Sequence, residues 1–213
     1  MRHYVDLHLK PSTPEQAFEM TQLAIQLGYS HVASTQPVEG LKAATRVDIE
    51  AKRGKELQDA LRRSRRRYEI IAVRCLSKEV ARLVARDERV DILLFPEDPA
   101  LRRQNWLDHH EAGLLDGAGR AYEINASELL AASPMRLAKV ITTIKRDLAV
   151  ASHHDIPVVL SSGATTPMLI REPRALTALA TLLDIDEDYA ADMLSTIPEA
   201  VLARAHAGHK EEM

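Results

Sequence analysis

One cysteine, Cys75, stands among 213 residues. That excludes an internal disulfide and any thiolate-built zinc site, and it suits a reducing cytoplasm. Aromatic residues are nearly as scarce: two Phe, one Trp and five Tyr, too few for a surface that reads single strands by base stacking. No run reaches the ~18 apolar residues of a membrane span, and the N-terminus MRHYVDLHLK has no apolar signal core; no membrane partner is expected. There is no G-x-G-x-x-G, no G-x-x-x-x-G-K-[ST] and no G-x-S-x-G, so dinucleotide binding, P-loop phosphate binding and a serine-hydrolase elbow are not signalled. No internal repeat of fixed period is present either.

What is present is ordinary globular chemistry, unevenly distributed. Hydrophobic residues make up 46% and charged residues 28%, with a net charge of −3, so bulk charge does not announce a nucleic-acid partner. Between Arg46 and Arg74, however, ten basic residues stand against five acidic, and from Asp184 to the end eight acidic stand against two basic.

Short β-branched runs alternate with longer amphipathic ones. Strands are expected at Tyr4–Leu9, His31–Ser34, Tyr68–Leu76, Val90–Phe95, Ala121–Asn125 and Pro157–Ser161. Helices are expected at Pro14–Leu27, where Thr13 caps the start and Gly28 the end, at Asp48–Arg67, Ser77–Arg86 and Pro134–His153, and in the segment after Pro173. Gln36–Arg46 reads as a loop, and Pro96–Arg120 has room for a further element. Alternation of this kind predicts a parallel α/β sheet covered by helices, either doubly wound or closed into a (β/α) barrel. A single domain over residues 1–213 is expected, with 184–213 forming C-terminal helices and a short flexible tail.

Several residues have a chemical reading beside a plain one. On the basic helix, Leu57, Ala60, Leu61 and Ser64 share one face and Lys52, Lys55, Arg62, Arg63 and Arg66 the other; this is a phosphate-clamping stripe or a solvated outer wall. Asp6 and His8 alternate on the first strand, as metal ligands at a barrel rim do; the alternative is that His8 hydrogen-bonds a neighbouring loop. The pairs His109-His110 and His153-His154 lack the i, i+4 spacing of a helical zinc site, and His206 and His209 are expected at the surface. Ser161-Ser162-Gly163-Ala164 follows a strand and precedes Arg171 and Arg174; it is an anion cradle or a structural turn.

Taken together, YVDLHL, LGYSHVA, VDILLFP, AYEIN, PVVLSSGA and the closing run LATLLDIDEDYAADMLSTIPEAVLAR resemble archaeal ribonuclease P protein component 3, the family of the thirty-kilodalton ribonuclease P subunit. The resemblance runs in order along nearly the whole chain. It implies a distorted, TIM-like (β/α) barrel of the polymerase-and-histidinol-phosphatase type. Enzymes of that type open with H-x-H, where this chain has Lys10 at the second position. They carry an aspartate-histidine pair where it reads Ser34-Thr35-Gln36, and S-D-A-H where it reads Ser162-Gly163-Ala164-Thr165. Of those ligands only His8 is left, so no metal site and no catalytic residue is expected here.

The resemblance further implies that the complex, not the isolated chain, is the endonuclease. Ribonuclease P removes the 5′ leader of precursor tRNA with a catalytic RNA that requires Mg2+, and this chain would hold that RNA together with protein component 2 in a heterotetramer. An archaeal cytoplasm follows from the same likeness. The candidate RNA contacts are Lys42, Arg46, Lys52, Lys55, Arg62, Arg66, Arg74, Ser162, Gly163, Arg171 and Arg174, with the acidic C-terminal helices turned towards a protein. The alternative function is a metal-dependent phosphoesterase of the same fold.

Overall fold

The computed structural model describes residues 2–211, with side chains to Ala207. The elements run β1 (Tyr4–Leu9), α1 (Pro14–Gln26), β2 (Tyr29–Ser34), β3 (Ala44–Ala51), α2 (Gly54–Ser64), β4 (Ile70–Cys75), α3 (Lys78–Val84), β5 (Ile92–Leu94), α4 (Pro99–Arg102) and α5 (His109–Leu115). They continue with β6 (Ala121–Asn125), α6 (Ala126–Leu130), α7 (Pro134–His153), β7 (Val158–Ser161), α8 (Pro173–Ala180), α9 (Glu187–Asp192) and α10 (Thr196–Glu211). The flexible tail expected at the end of 184–213 falls at the edge of the described residues and beyond.

The seven strands pair in sequence order, all parallel. Between β7 and β1 the ring is closed by other means. Leu9 bridges Ala164, and the Lys10 N–H donates to the Ala164 carbonyl at 2.8 Å. Along the rest of the seam the turn after α9 fills the gap: the Leu194 carbonyl accepts from Val5 N–H at 2.8 Å and the Met193 carbonyl from Leu160 N–H at 3.0 Å. A (β/α) barrel results.

Six of the strands lie where their patterns place them: β1 and β6 keep the expected ends, β2 starts two residues earlier, and β4, β5 and β7 are shorter. The seventh is a correction: Ala44–Ala51 is a strand, not the tail of a loop and the head of a helix, and α2 begins only at Gly54. Its sequence ATRVDIEA alternates, but with polar residues on the barrel's inner side and Val47, Ile49 and Ala51 against the helices. Charge at every second position disguised it as an exposed helix. The stretch 96–120 holds the short helices α4 and α5 rather than a strand.

Two apolar layers result. Ile71, Val73, Cys75, Leu93, Tyr122, Ile124 and Val158 face outward onto the helices. Val5, Leu7, Ile70, Ala72, Ile92, Ala121 and Val159 face inward, where Val201, Leu202 and Ala205 of α10 plug the N-terminal end of the barrel. Arg65 and Arg204 hold that plug: Arg65 donates to the Ala205 carbonyl and, with Arg204, to the buried Asp91 carboxylate. The acidic segment's last helix is thus half core. The other end of the barrel, where sites of this architecture gather, is polar.

Candidate functional site

At that polar end His8, Arg46, Asp48, Glu123 and Asn125 converge from β1, β3 and β6. Register shifts within β1 between Asp6 and Leu9 separate the two candidate ligands. Asp6 Oδ1 accepts from the N–H groups of His8 and Ser162 at 3.1 and 3.0 Å while its buried Oδ2 has no hydrogen-bond partner, and burial pushes its pKa up. The His8 ring instead places Nε2 2.6 Å from Asp48 Oδ2 and Nδ1 2.7 Å from Asn125 Oδ1, with Glu123 Oε2 at 3.2 Å. The plain reading of His8 holds, although its partners are strands rather than a loop.

Arg46 lies at the centre of the cluster with its side chain excluded from solvent. Its Nε donates to Asp48 at 2.8 Å, its Nη1 and Nη2 clasp both oxygens of Glu123 at 2.8 and 2.6 Å, and Nη1 also reaches the Leu7 carbonyl at 2.6 Å. Burial pushes the Asp48 and Glu123 carboxyls up, but the Arg46 and His8 charges outweigh it. Asp48 is held far below the usual carboxylate range and Glu123 at about 2. His8 is opposed by burial and by Arg46, yet Asp48 and Glu123 raise its pKa overall. Ser161 adds its hydroxyl to Glu123 at 2.6 Å.

This arrangement decides whether a divalent metal ion would fit. Asp48 and Glu123 supply carboxylates that the motif comparison did not count, so His8 is not alone. Both carboxylates, however, are already neutralised by a guanidinium in their midst. Both His8 nitrogens face acceptors, the geometry of an imidazolium donating twice, and an imidazolium has no lone pair for a metal. Two fixed cations balance two fixed anions. A divalent ion would have to displace a buried, bidentate arginine, and the residues present do not fit one.

The cluster also corrects the candidate RNA contacts. Arg46 is interior and cannot meet a phosphate. Arg74 is almost wholly buried, with Nη1 2.9 Å from Glu97 and Nε 3.3 Å from Glu50. Ser162 and Gly163 are buried and form a turn rather than an open cradle. The Ser162 N–H serves Asp6, its hydroxyl donates to the His8 carbonyl at 3.3 Å, and Gly163 sits at φ 59° against Asn125 and Ser127. Arg171 is half-buried and donates to the Met168 and Ile170 carbonyls.

Lys42, Lys52, Lys55, Arg62, Arg66 and Arg174 are exposed, but not together. Arg174 lies on α8, in a cleft of about 570 Å³ shared with Arg2, Asp186, Glu187 and Asp188. Lys42 precedes β3, near Glu69 and His206. Lys55 and Arg62 lie on α2, with Lys52 just before it and Arg66 just after; the helix packs on β3 and α3, buries Leu57, Leu61 and Ser64 and turns its basic face outward. Of these four, only Arg62 has a carboxylate partner, Asp59, among the described residues. Arg63 and Arg67 extend the exposed face.

Fold and site therefore define a (β/α) barrel whose mouth is sealed by ion pairs and whose outer wall carries a basic helix. The profile of the family described as RNase P subunit p30 matches residues 3–210, and the chain belongs to that family. Ribonuclease P protein component 3 of Methanosarcina mazei is 26% identical over 95% of this chain and 89% of its own length. Its counterpart in Methanococcus maripaludis strain C6 is 30% identical over 80% and 69%. Among solved structures, a chain of the cryo-EM structure of archaeal ribonuclease P with mature tRNA superposes with a TM-score of 0.76 at 23% identity, covering 97% of this chain and 91% of that one. A. niger ochratoxinase shares the barrel, with a TM-score of 0.61 at 12% identity over 94% and 71%.

Proposed function

We propose that this chain serves ribonuclease P, the endoribonuclease that frees tRNA 5′ ends, as a non-catalytic subunit that holds the complex's RNA against the outer face of α2. The supporting observation is that Lys55 and Arg62 on α2, with Lys52 just before the helix and Arg66 just after it, are all exposed while the barrel mouth is closed. Packed RNA helices repel one another, and a rigid row of cations lowers that repulsion without needing to read bases. The interior cluster, with both carboxylates paired to Arg46 and His8, offers no metal-ready donor set, which supports leaving cleavage to the RNA and its Mg2+. Protein component 2, in a heterotetramer, is the protein partner we propose, with the acidic segment of α9 turned towards protein rather than RNA. Among the described residues no helix is long and apolar enough to cross a membrane, and the lone buried Cys75 supports a reducing cytoplasm as the compartment.

The test is RNA binding across a salt series with Lys52, Lys55, Arg62 and Arg66 changed together to Ala. Affinity should fall uniformly, and the slope of log K against log salt should become shallower by roughly 3. An unchanged slope with intact folding would leave the chain a protein-only adaptor and overturn the reading.

A further inference from the structure

Two histidine pairs, separated by more than forty residues, meet on the outer wall of the barrel. His109 opens α5, His153 closes α7, and His154 caps that helix. One imidazole nitrogen from each ring lies within 4.8 Å of the other two, with His109 Nδ1 and His154 Nε2 3.0 Å apart. The three rings meet pairwise, edge-on or tilted, with centroids 5.4, 5.3 and 5.0 Å apart. His109 and His153 are exposed and His154 is half-buried.

We propose that His109, His153 and His154 form a binding site for one zinc ion, with the fourth position open to water. Three imidazoles with neither carboxylate nor thiolate are the donor set of a borderline metal such as zinc, not of Mg2+ or Ca2+, which prefer oxygen. Nitrogens bound to one zinc at 2.0–2.1 Å stand roughly 3.3 Å apart, so the existing spacing closes with small side-chain rotations.

The backbone beneath the three rings is fixed. Asp108 caps α5 by accepting from the N–H groups of His110 and Glu111 at 2.9 and 3.1 Å. Lys78 of α3 ties down Asp108 and Glu111 at 2.8 and 2.9 Å. At the end of α7 the His154 N–H returns to Val150 and Ala151, and Ile156 N–H bonds the Ala151 carbonyl at 2.9 Å. Asp155 then turns the chain at φ 50°. His110 does not join the group.

Bound zinc would staple α5 to α7 across the outer layer, and mass action would turn that binding into stability. The site lies outside the barrel mouth and does not depend on the proposed RNA contact.

The full chain, without a histidine tag and stripped of metal, is titrated with Zn2+ by calorimetry and with Co2+ by visible absorption. We expect one equivalent to bind, a tetrahedral cobalt spectrum, and a rise in the thermal midpoint with zinc. His109→Ala and His153→Ala should each weaken zinc binding roughly tenfold or more and remove the thermal effect, while His110→Ala changes neither. Circular dichroism confirms that each variant folds. No saturable binding at micromolar zinc, or binding that survives in the His109→Ala/His153→Ala double variant, overturns the site.

Discussion

Arg46 and Glu123, 77 residues apart, meet in the barrel interior through two parallel hydrogen bonds of 2.8 and 2.6 Å with neither side chain exposed to solvent. This pair stands among the residues that would otherwise converge on a metal ion. Removing one partner strands the other charge, which costs about 3–5 kcal/mol for a buried pair. Arg46→Met should therefore lower the thermal midpoint by roughly 10 °C. Replacing Arg46 and Glu123 together with Met should cost less than the sum of the single changes. A midpoint within a degree or two of the parent for Arg46→Met would show that the pair does not hold the barrel mouth.

The same pair sets an acid limb. Glu123 at about 2, and Asp48 lower still, lie below their unfolded values. Their stabilisation is therefore complete above the ordinary carboxylate range and is lost as pH falls towards 2. His8 is raised, so its contribution is full below its ordinary value and fades as pH rises through the raised one. In urea titrations at stepped pH, Glu123→Gln should start less stable at neutrality yet lose less on acidification. Parallel curves for variant and parent would contradict this.

Gly163 sits where both torsion and space demand glycine. At φ 59°, an added Cβ would lie 2.6 Å from Ser127 Oγ and 2.7 Å from Asn125 Cβ. Gly163→Ala should cost roughly 2–4 kcal/mol from left-handed strain and overpacking combined, measurable by denaturant unfolding. Gly28, also at positive φ but with open space around it, should show only the torsional share.

Arg74 separates surface charge from buried charge. Its guanidinium is committed to Glu50 and Glu97. Arg74→Ala should thus reduce stability while leaving the salt slope of RNA binding unchanged, the opposite of Arg66→Ala. Equal effects on the slope would mean that the pair with Glu97 opens on binding RNA.

Legibility differed from element to element. AYEIN and the helix Pro134–His153 were plain because apolar periodicity and proline placement agree there. The strand Ala44–Ala51 was hidden because a barrel interior can hold charges, and charge at alternate positions is indistinguishable in sequence from a solvated face. For the same reason Arg46 looked like a surface cation. The two histidine pairs could not be linked, since nothing local places the start of α5 beside the end of α7.

The order of short strands and longer helices, the absence of motif ligands at Lys10, Ser34-Thr35-Gln36 and Ser162-Gly163, and the basic run of α2 are all local properties, and the chain's residues determined them unaided. Which charges face water and which neutralise each other was decided only by closure of the barrel. Ring closure brings β1, β3 and β6 within hydrogen-bonding distance, and the low-dielectric interior then requires that every charge caught there be paired.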